Sequence, residues 1–154
     1  MKKLIHLFKY SHKTSLRTVL AQLIFSFIEN YQLDLSAYQR VVPIPLSLTR
    51  LRERGYNQSQ LIAERISRKY NIPTSYRNLI RVRHTQNQAL LKQKERWTNI
   101  HGAFKIKNSQ EFSQKSVLLI DDLLTTGATG SEAARVLKEA GASQVGLLTI
   151  AIAK

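Results

Sequence analysis

Apolar residues recur along this chain with two periods, and the points where the period changes divide it into elements. Leu16, Val19, Leu20, Leu23, Ile24, Phe27, Ile28 and Tyr31 fall on one helical face, which predicts a scaffold helix packed on a sheet, with Thr14 or Ser15 capping its start. Asn30 to Gln39 is a polar connection. Arg40 to Pro45 then reads as a short strand whose prolines end the pairing. A helix is expected over about Gln58 to Tyr70, with Ile62, Ala63, Ile66 and Tyr70 on its buried face. Asn71-Ile72-Pro73 ends it, because proline cannot continue the hydrogen-bond ladder. Leu79 to Arg83 reads as a further strand. So does Ala103 to Lys107, which alternates apolar and basic residues as a half-exposed strand does. Asn108 to Lys115 is a polar turn.

The last third is the most regular. Val117 to Ile120 is an apolar run followed by turn chemistry, the pattern of a buried strand in a parallel sheet. Gly130 to Ala140 reads as a helix, because Ala133, Val136, Leu137 and Ala140 recur at helical spacing and Gly141 stands where a helix end favours positive φ. Gln144 to Ile152 is a second apolar strand. In a strand, loop, helix, strand unit the ligand binds at the carboxyl end of the strand, here Asp121 to Thr129.

Those residues carry chemistry of one kind. Ionised carboxylates only accept, so Asp121 and Asp122 suit two neighbouring sugar hydroxyls, or magnesium held through water. Thr125, Thr126, Gly127, Ala128 and Thr129 suit a phosphate, which backbone N–H groups at a helix N-terminus and Thr hydroxyls would surround. No Gly-Lys-Ser/Thr follows, so this is not a Walker loop, and it is not the Gly-x-Gly-x-x-Gly dinucleotide turn. A plain helix-capping turn would explain Asp122 and Thr126 alone.

Composition changes the picture in one respect. At 154 residues, 43% hydrophobic and 22% charged, the chain reads as one ordinary globular domain over 1–154, with 1–35 as a hood and scaffold helix and 36–154 as the core. Its 24 Lys and Arg against 10 Asp and Glu, however, give a formal charge of +14. That excess is the footprint of a polyanion partner, with solubility as the alternative. Cysteine is absent, which removes disulfides, thiol nucleophiles and cysteine-based zinc sites. Leu16 to Tyr31 is amphipathic and carries Arg17 and Gln22, so membrane insertion is not expected. Behind Met1-Lys2-Lys3, His6, Lys9 and His12 interrupt any apolar core of signal length, so the default location is cytoplasmic.

Two further segments could hold anions. In Thr49 to Gln58, read as the loop after the first sheet strand, Arg50, Arg52 and Arg54 alternate before Gly55, forming either a phosphate clamp or a solvated basic turn. His84 to Asn99 is long, polar and basic, as a lid or binding loop would be, and Leu91 to Trp97 could be helical. Trp97 is expected to be partly buried against the sheet, with stacking on a base as the alternative. Lys92, Lys94 and Arg96 are the candidates for nucleic-acid phosphates.

Val117 to Thr129 resembles the phosphoribosyl pyrophosphate (PRPP) signature of type I phosphoribosyltransferases. The resemblance implies that Asp121 and Asp122 hold the ribose hydroxyls and Thr125 to Thr129 the 5′-phosphate. Three other stretches, Val41 to Pro45, Arg54 to Gln58, and the series Arg81, Thr85, Gln88, Arg96, Asn99 with Gly102-Ala103-Phe104, are similar to the ComF family of bacterial competence proteins. That resemblance runs from about Lys9 to the C-terminus. It implies an α/β fold, a mostly parallel sheet flanked by helices with a small N-terminal hood and the signature strand central. It also implies Mg²⁺ with PRPP and the series from Arg81 to Asn99 on a mobile loop, while the position of Arg52 and Arg54 after the first sheet strand, beside Gly55, suits them to the pyrophosphate. Single-stranded DNA and a helicase-like competence partner are the implied partners. An active phosphoribosyltransferase acting on an unidentified base is the alternative to an accessory role. ComF proteins usually carry an N-terminal four-cysteine zinc module, and none lies within this cysteine-free chain.

Overall fold

The computed structural model describes residues 16–83 and 93–152, leaving aside the side chains of 16–18, 20 and 93–96. In chain order the elements are α1 (Leu16–Asn30), β1 (Arg40–Pro43), α2 (Leu48–Arg54), α3 (Gln58–Tyr70), β2 (Leu79–Arg81), α4 (Gln93–Ile100), β3 (Phe104–Ile106), a 3₁₀ turn (Ser109–Glu111), β4 (Ser116–Leu124), α5 (Ala128–Glu139) and β5 (Gln144–Ile152). β1, β4 and β5 form a parallel sheet in the order β1-β4-β5, so the signature strand is central as expected. β2 and β3 form a separate antiparallel ribbon in which Leu79 faces Ile106 and Arg81 faces Phe104.

The two-residue period of the strands sorts the core into two layers. Val41, Leu118 and Ile120 pack with Ile24 and Ile28 of α1 and Ile62, Ala63 and Ile66 of α3. Val42, Val117 and Leu119 pack on the opposite face with Ala133, Val136 and Leu137 of α5, and with Leu79, Ile100, Phe104 and Phe112. Helices therefore cover both faces, and each fully buried branched side chain of β4 contributes about 1.5–3 kcal/mol of apolar burial. Helix α5 sits close on β5 because Gly130 leaves room: a Cβ there would lie 2.6 Å from Leu147 Cδ2. Gly141 takes φ +90° after α5, the role its position predicted.

Several boundaries and environments differ from the sequence reading. Thr49 to Gln58 is not a loop: Ser47 Oγ accepts from Arg50 N at 3.3 Å to start α2, and Gly55 at φ +76° ends it. β1 stops at Pro43 and β2 at Arg81. β4 runs through both aspartates to Leu124, and α5 begins at Ala128 rather than Gly130. The polar turn Asn108 to Lys115 hides a fully buried Phe112. On α1 the apolar stripe is wider than its contact with α3 and β5, so Ala21, Ile24 and Ile28 are buried while Val19, Leu23 and Phe27 face outward. Trp97, expected to be partly buried, stands 46% exposed on α4. Thr14, Ser15 and the first fifteen residues of the expected hood lie outside the described residues.

One buried carboxylate fastens the ribbon to α5. Glu132 Oε1 accepts from Gly102 N (2.7 Å) and from Arg135 Nη2 (2.7 Å), while Oε2 accepts from Arg135 Nε (2.9 Å) and lies 3.6 Å from His101 Nδ1. The hydrogen bonds from Arg135, then that from Gly102, hold the Glu132 carboxyl below the usual carboxylate range, against the opposing effect of burial. Its folded pKa lies below its unfolded one. The stabilisation is therefore complete above the ordinary value of about 4.3 and fades as pH falls through the lower folded value. Arg135 is itself half exposed, which screens the charge contribution, so the hydrogen bonds set the scale. Glu132→Gln should lower unfolding free energy by about 1.5–3 kcal/mol at neutral pH, and by less in acid. Urea denaturation at neutral and acidic pH checks both halves of this expectation.

Candidate functional site

The site begins where β1 ends. Pro43 faces Ile120, Ile44 N donates to Ile120 O (2.9 Å), and the ladder to β1 goes no further, while β4 continues to pair with β5 as far as Leu124 and Ile152. Pro43 and Pro45 have no N–H to extend it. A crevice of this kind, past the carboxyl end of a parallel strand, holds Asp121 and Asp122.

The loop after β1 is fixed against that crevice by the start of α3. Asn57 Oδ1 caps the helix through Ser59 N (3.0 Å), and Asn57 Nδ2 donates to Ile44 O (3.0 Å). This places Ser59 Oγ to donate to Asp121 Oδ1 at 3.3 Å, and the same oxygen accepts from Asp122 N at 2.9 Å. Arg54, at the end of α2, donates through Nη1 to Oε1 of the fully buried Gln58 (3.2 Å). Burial raises the Tyr56 hydroxyl above its ordinary pKa, against the opposing effects of the Arg54 charge and the Gln58 side chain. Arg81 arrives from β2. Burial pushes its guanidinium below the usual value, the Asp121 charge opposes this, and Arg50 adds to it. Asp121, Arg81 and Arg50 thus share one electrostatic neighbourhood, while Arg54, Tyr56, Gln58 and Ser59 form its α3 side.

The other half of the site is the turn into α5. Thr126 Oγ1 accepts from Ala128 N at 3.4 Å, and the N-cap residue Gly127 takes φ +79° with no side chain of its own to cap the helix. At that φ a side chain would be strained, although a Cβ would meet only Leu124 Cδ1 at an ordinary 3.9 Å. The first-turn N–H groups of α5 therefore point out of its positive end, directly beyond the two carboxylates.

Asp121, Asp122 and Thr125 to Thr129 are thus held together by one strand and turn, and Arg54 joins them through Gln58 and Ser59. Arg52 is exposed on α2. Of the series placed on a mobile loop, Arg81 is a strand residue and Asn99 belongs to α4, where its carbonyl accepts from Arg83 Nη2 at 2.7 Å. Thr85, Gln88 and Lys92 lie outside the described residues, as do the side chains of Lys94 and Arg96. Sequence reasoning missed Ser59 and Gln58 as neighbours of Asp121 and Arg54. Extending the α3 period one turn back finds Ser59 at i relative to Ile62, Ala63 and Ile66 at i+3, i+4 and i+7, and so on the buried face. Among the described residues no group of three or more His, Cys, Asp or Glu side chains forms a metal cluster, and no helix is long and apolar enough to cross a membrane.

A parallel sheet with helices on both faces and this crevice at its carboxyl edge is the type I phosphoribosyltransferase fold. The adenine phosphoribosyltransferase of Leishmania donovani has the same architecture, at a TM-score of 0.56 and 15% identity over 95% of this chain and 56% of that one. The chain belongs to the phosphoribosyl transferase domain family, whose pattern matches residues 39–154. It is 33% identical over 147 residues to competence protein F of Haemophilus influenzae, and 29% identical over 144 residues to the DNA utilization protein YhgH of Escherichia coli. Each match covers 92% of this chain, which spans 63% of the length of either relative.

Proposed function

We propose that this chain binds magnesium-PRPP at the carboxyl end of β4 and serves the handling of single-stranded DNA in competence. One observation carries the reading. Acceptors (Asp121, Asp122) and donors (the turn into α5) follow one another at a single strand end. PRPP offers the inverse series, ribose hydroxyls that donate beside phosphates that accept. Asp121 and Asp122 take the hydroxyls, Thr125 to Thr129 the 5′-phosphate, and Arg52 and Arg54 the pyrophosphate. Two carboxylates, with no third His, Cys, Asp or Glu grouped beside them among the described residues, fit a Mg²⁺ that shares its coordination with substrate oxygens and water. When bound, the ion would neutralise pyrophosphate charge.

The relatives' names, which speak of competence and of DNA utilization, support the cellular role, and the +14 charge supports a polyanion partner. A cytoplasmic location and a helicase-like partner belong to the same reading. Phosphoribosyl transfer to a base is the second reading. It is favoured by the carboxylates and phosphate turn, since such chemistry needs charge stabilisation rather than a nucleophilic side chain. Calorimetric titration with Mg²⁺ and PRPP, followed by an assay for pyrophosphate released in the presence of bases or DNA, separates the two. Binding without release supports the accessory role, release supports the enzyme, and absence of binding removes both.

Arg54→Ala should weaken PRPP by roughly tenfold to a hundredfold, the worth of one charge-assisted hydrogen bond, and ribose 5-phosphate far less. Parallel titrations check this. Equal weakening of both ligands would make Arg54 a structural partner of Gln58 instead.

A further inference from the structure

At the other end of the β2–β3 ribbon a cleft of about 600 Å³ opens between the segment entering β2 and the turn leaving β3. The register explains its place. Leu79 faces Ile106, so Asn78 and Lys107 stand together beyond the ribbon's end, while Arg81 at the opposite end lies in the field of Asp121. Asn78 is buried and ties the two walls. Its Nδ2 donates to Asn108 O (2.7 Å) and Glu111 Oε2 (2.6 Å), and its Oδ1 accepts from Lys107 N (3.0 Å) and Asn108 N (2.8 Å). Glu111 is thereby engaged, and its other oxygen lies 4.0 Å from Arg40 Nε.

What the walls have left over is mostly donors. Arg77 and Lys107 line the cleft and meet no carboxylate among the described residues. Tyr76 adds an aromatic surface, 41% exposed. Two cations without a carboxylate partner suit an anion with several acceptor oxygens, and a bare ring offers a face for stacking. The volume is in the range of small-molecule sites.

We propose that this cleft takes a nucleoside 5′-monophosphate unit, free or as one link of a single strand, with its phosphate on Arg77 and Lys107 and its base against Tyr76. The cleft is separate from the phosphoribosyl site, so the two assignments stand or fall apart.

The test is calorimetric titration of the wild type with AMP and, separately, with an oligodeoxythymidylate at low ionic strength, repeated on two variants. Arg77→Gln/Lys107→Gln should weaken binding by about tenfold or more while PRPP affinity is kept. AMP should still bind Asp121→Ala/Asp122→Ala. Weakening of AMP in the Arg77/Lys107 variant identifies a free nucleotide, and weakening of the oligonucleotide alone identifies a strand. Three results overturn the proposal: neither probe binds the wild type, both bind the Arg77/Lys107 variant as tightly as the wild type, or AMP binding is lost only in the aspartate variant. The last would place AMP in the phosphoribosyl site.

Discussion

Asp121→Ala/Asp122→Ala should bind magnesium-PRPP too weakly to measure by calorimetry under conditions where the wild type saturates. Each carboxylate accepts charge-assisted hydrogen bonds worth about 1.5–3 kcal/mol, so losing both costs about 3–6 kcal/mol, a factor of roughly a hundred to ten thousand. The geometry makes the loss worse than a simple deletion. Ser59 Oγ and Asp122 N both donate to Asp121 Oδ1, and alanine would leave both donors without that acceptor. The strand itself should survive, because its core contacts come from Val117 to Ile120. Asp122→Asn, which keeps the shape but not the charge, should fall between. Unchanged PRPP affinity in a folded double variant would remove both aspartates from the site.

Single-stranded DNA should bind with little regard to base sequence and with steep salt dependence, log K falling against log salt by about 0.7 for each phosphate contacted. Neutralising Lys92, Lys94 and Arg96 together should flatten that slope by up to about 2 and lower affinity evenly across sequences. Fluorescence anisotropy of labelled oligonucleotides over a salt series reads both quantities. If a folded, monodisperse sample shows no binding at low salt, the +14 charge serves solubility or an acidic protein partner instead.

What could be read from the sequence was whatever depends on neighbours along the chain. The apolar runs of β4 and β5, the α5 period and the turn at Gly141 are local, and all were visible in advance. So was the run from Asp121 to Thr129, because one strand and one turn build it. What escaped depends on partners far away in the chain. Ser59 becomes part of the site only through Asp121, and Arg81, read as a strand residue, enters the field of Asp121 only in the folded chain. Phe112 looked like a turn residue and is buried against the α5 side of the core. On α1 the stripe was correctly helical, but nothing local says that α3 and β5 cover only part of it. The α2 helix was hidden for another reason: its seven residues bury none of their side chains, so no apolar period marks it.

The four residues by which β4 outlasts its ladder to β1 have a mechanical consequence. From Asp121 to Leu124 the sheet supports the strand only along its β5 side. A strand end braced along one edge opens at lower free energy than one gripped from both, so the region that carries the carboxylates belongs to the softer part of the sheet. A ligand lying in that crevice takes the position of the absent neighbour, contributing contacts along the edge that β1 relinquishes at its prolines. Occupancy and local stiffness then become one equilibrium. Backbone amides past Ile120 would slow their exchange with solvent in proportion to how tightly the crevice is filled, while those of Val117 to Ile120, already clasped on both edges, would not register the difference.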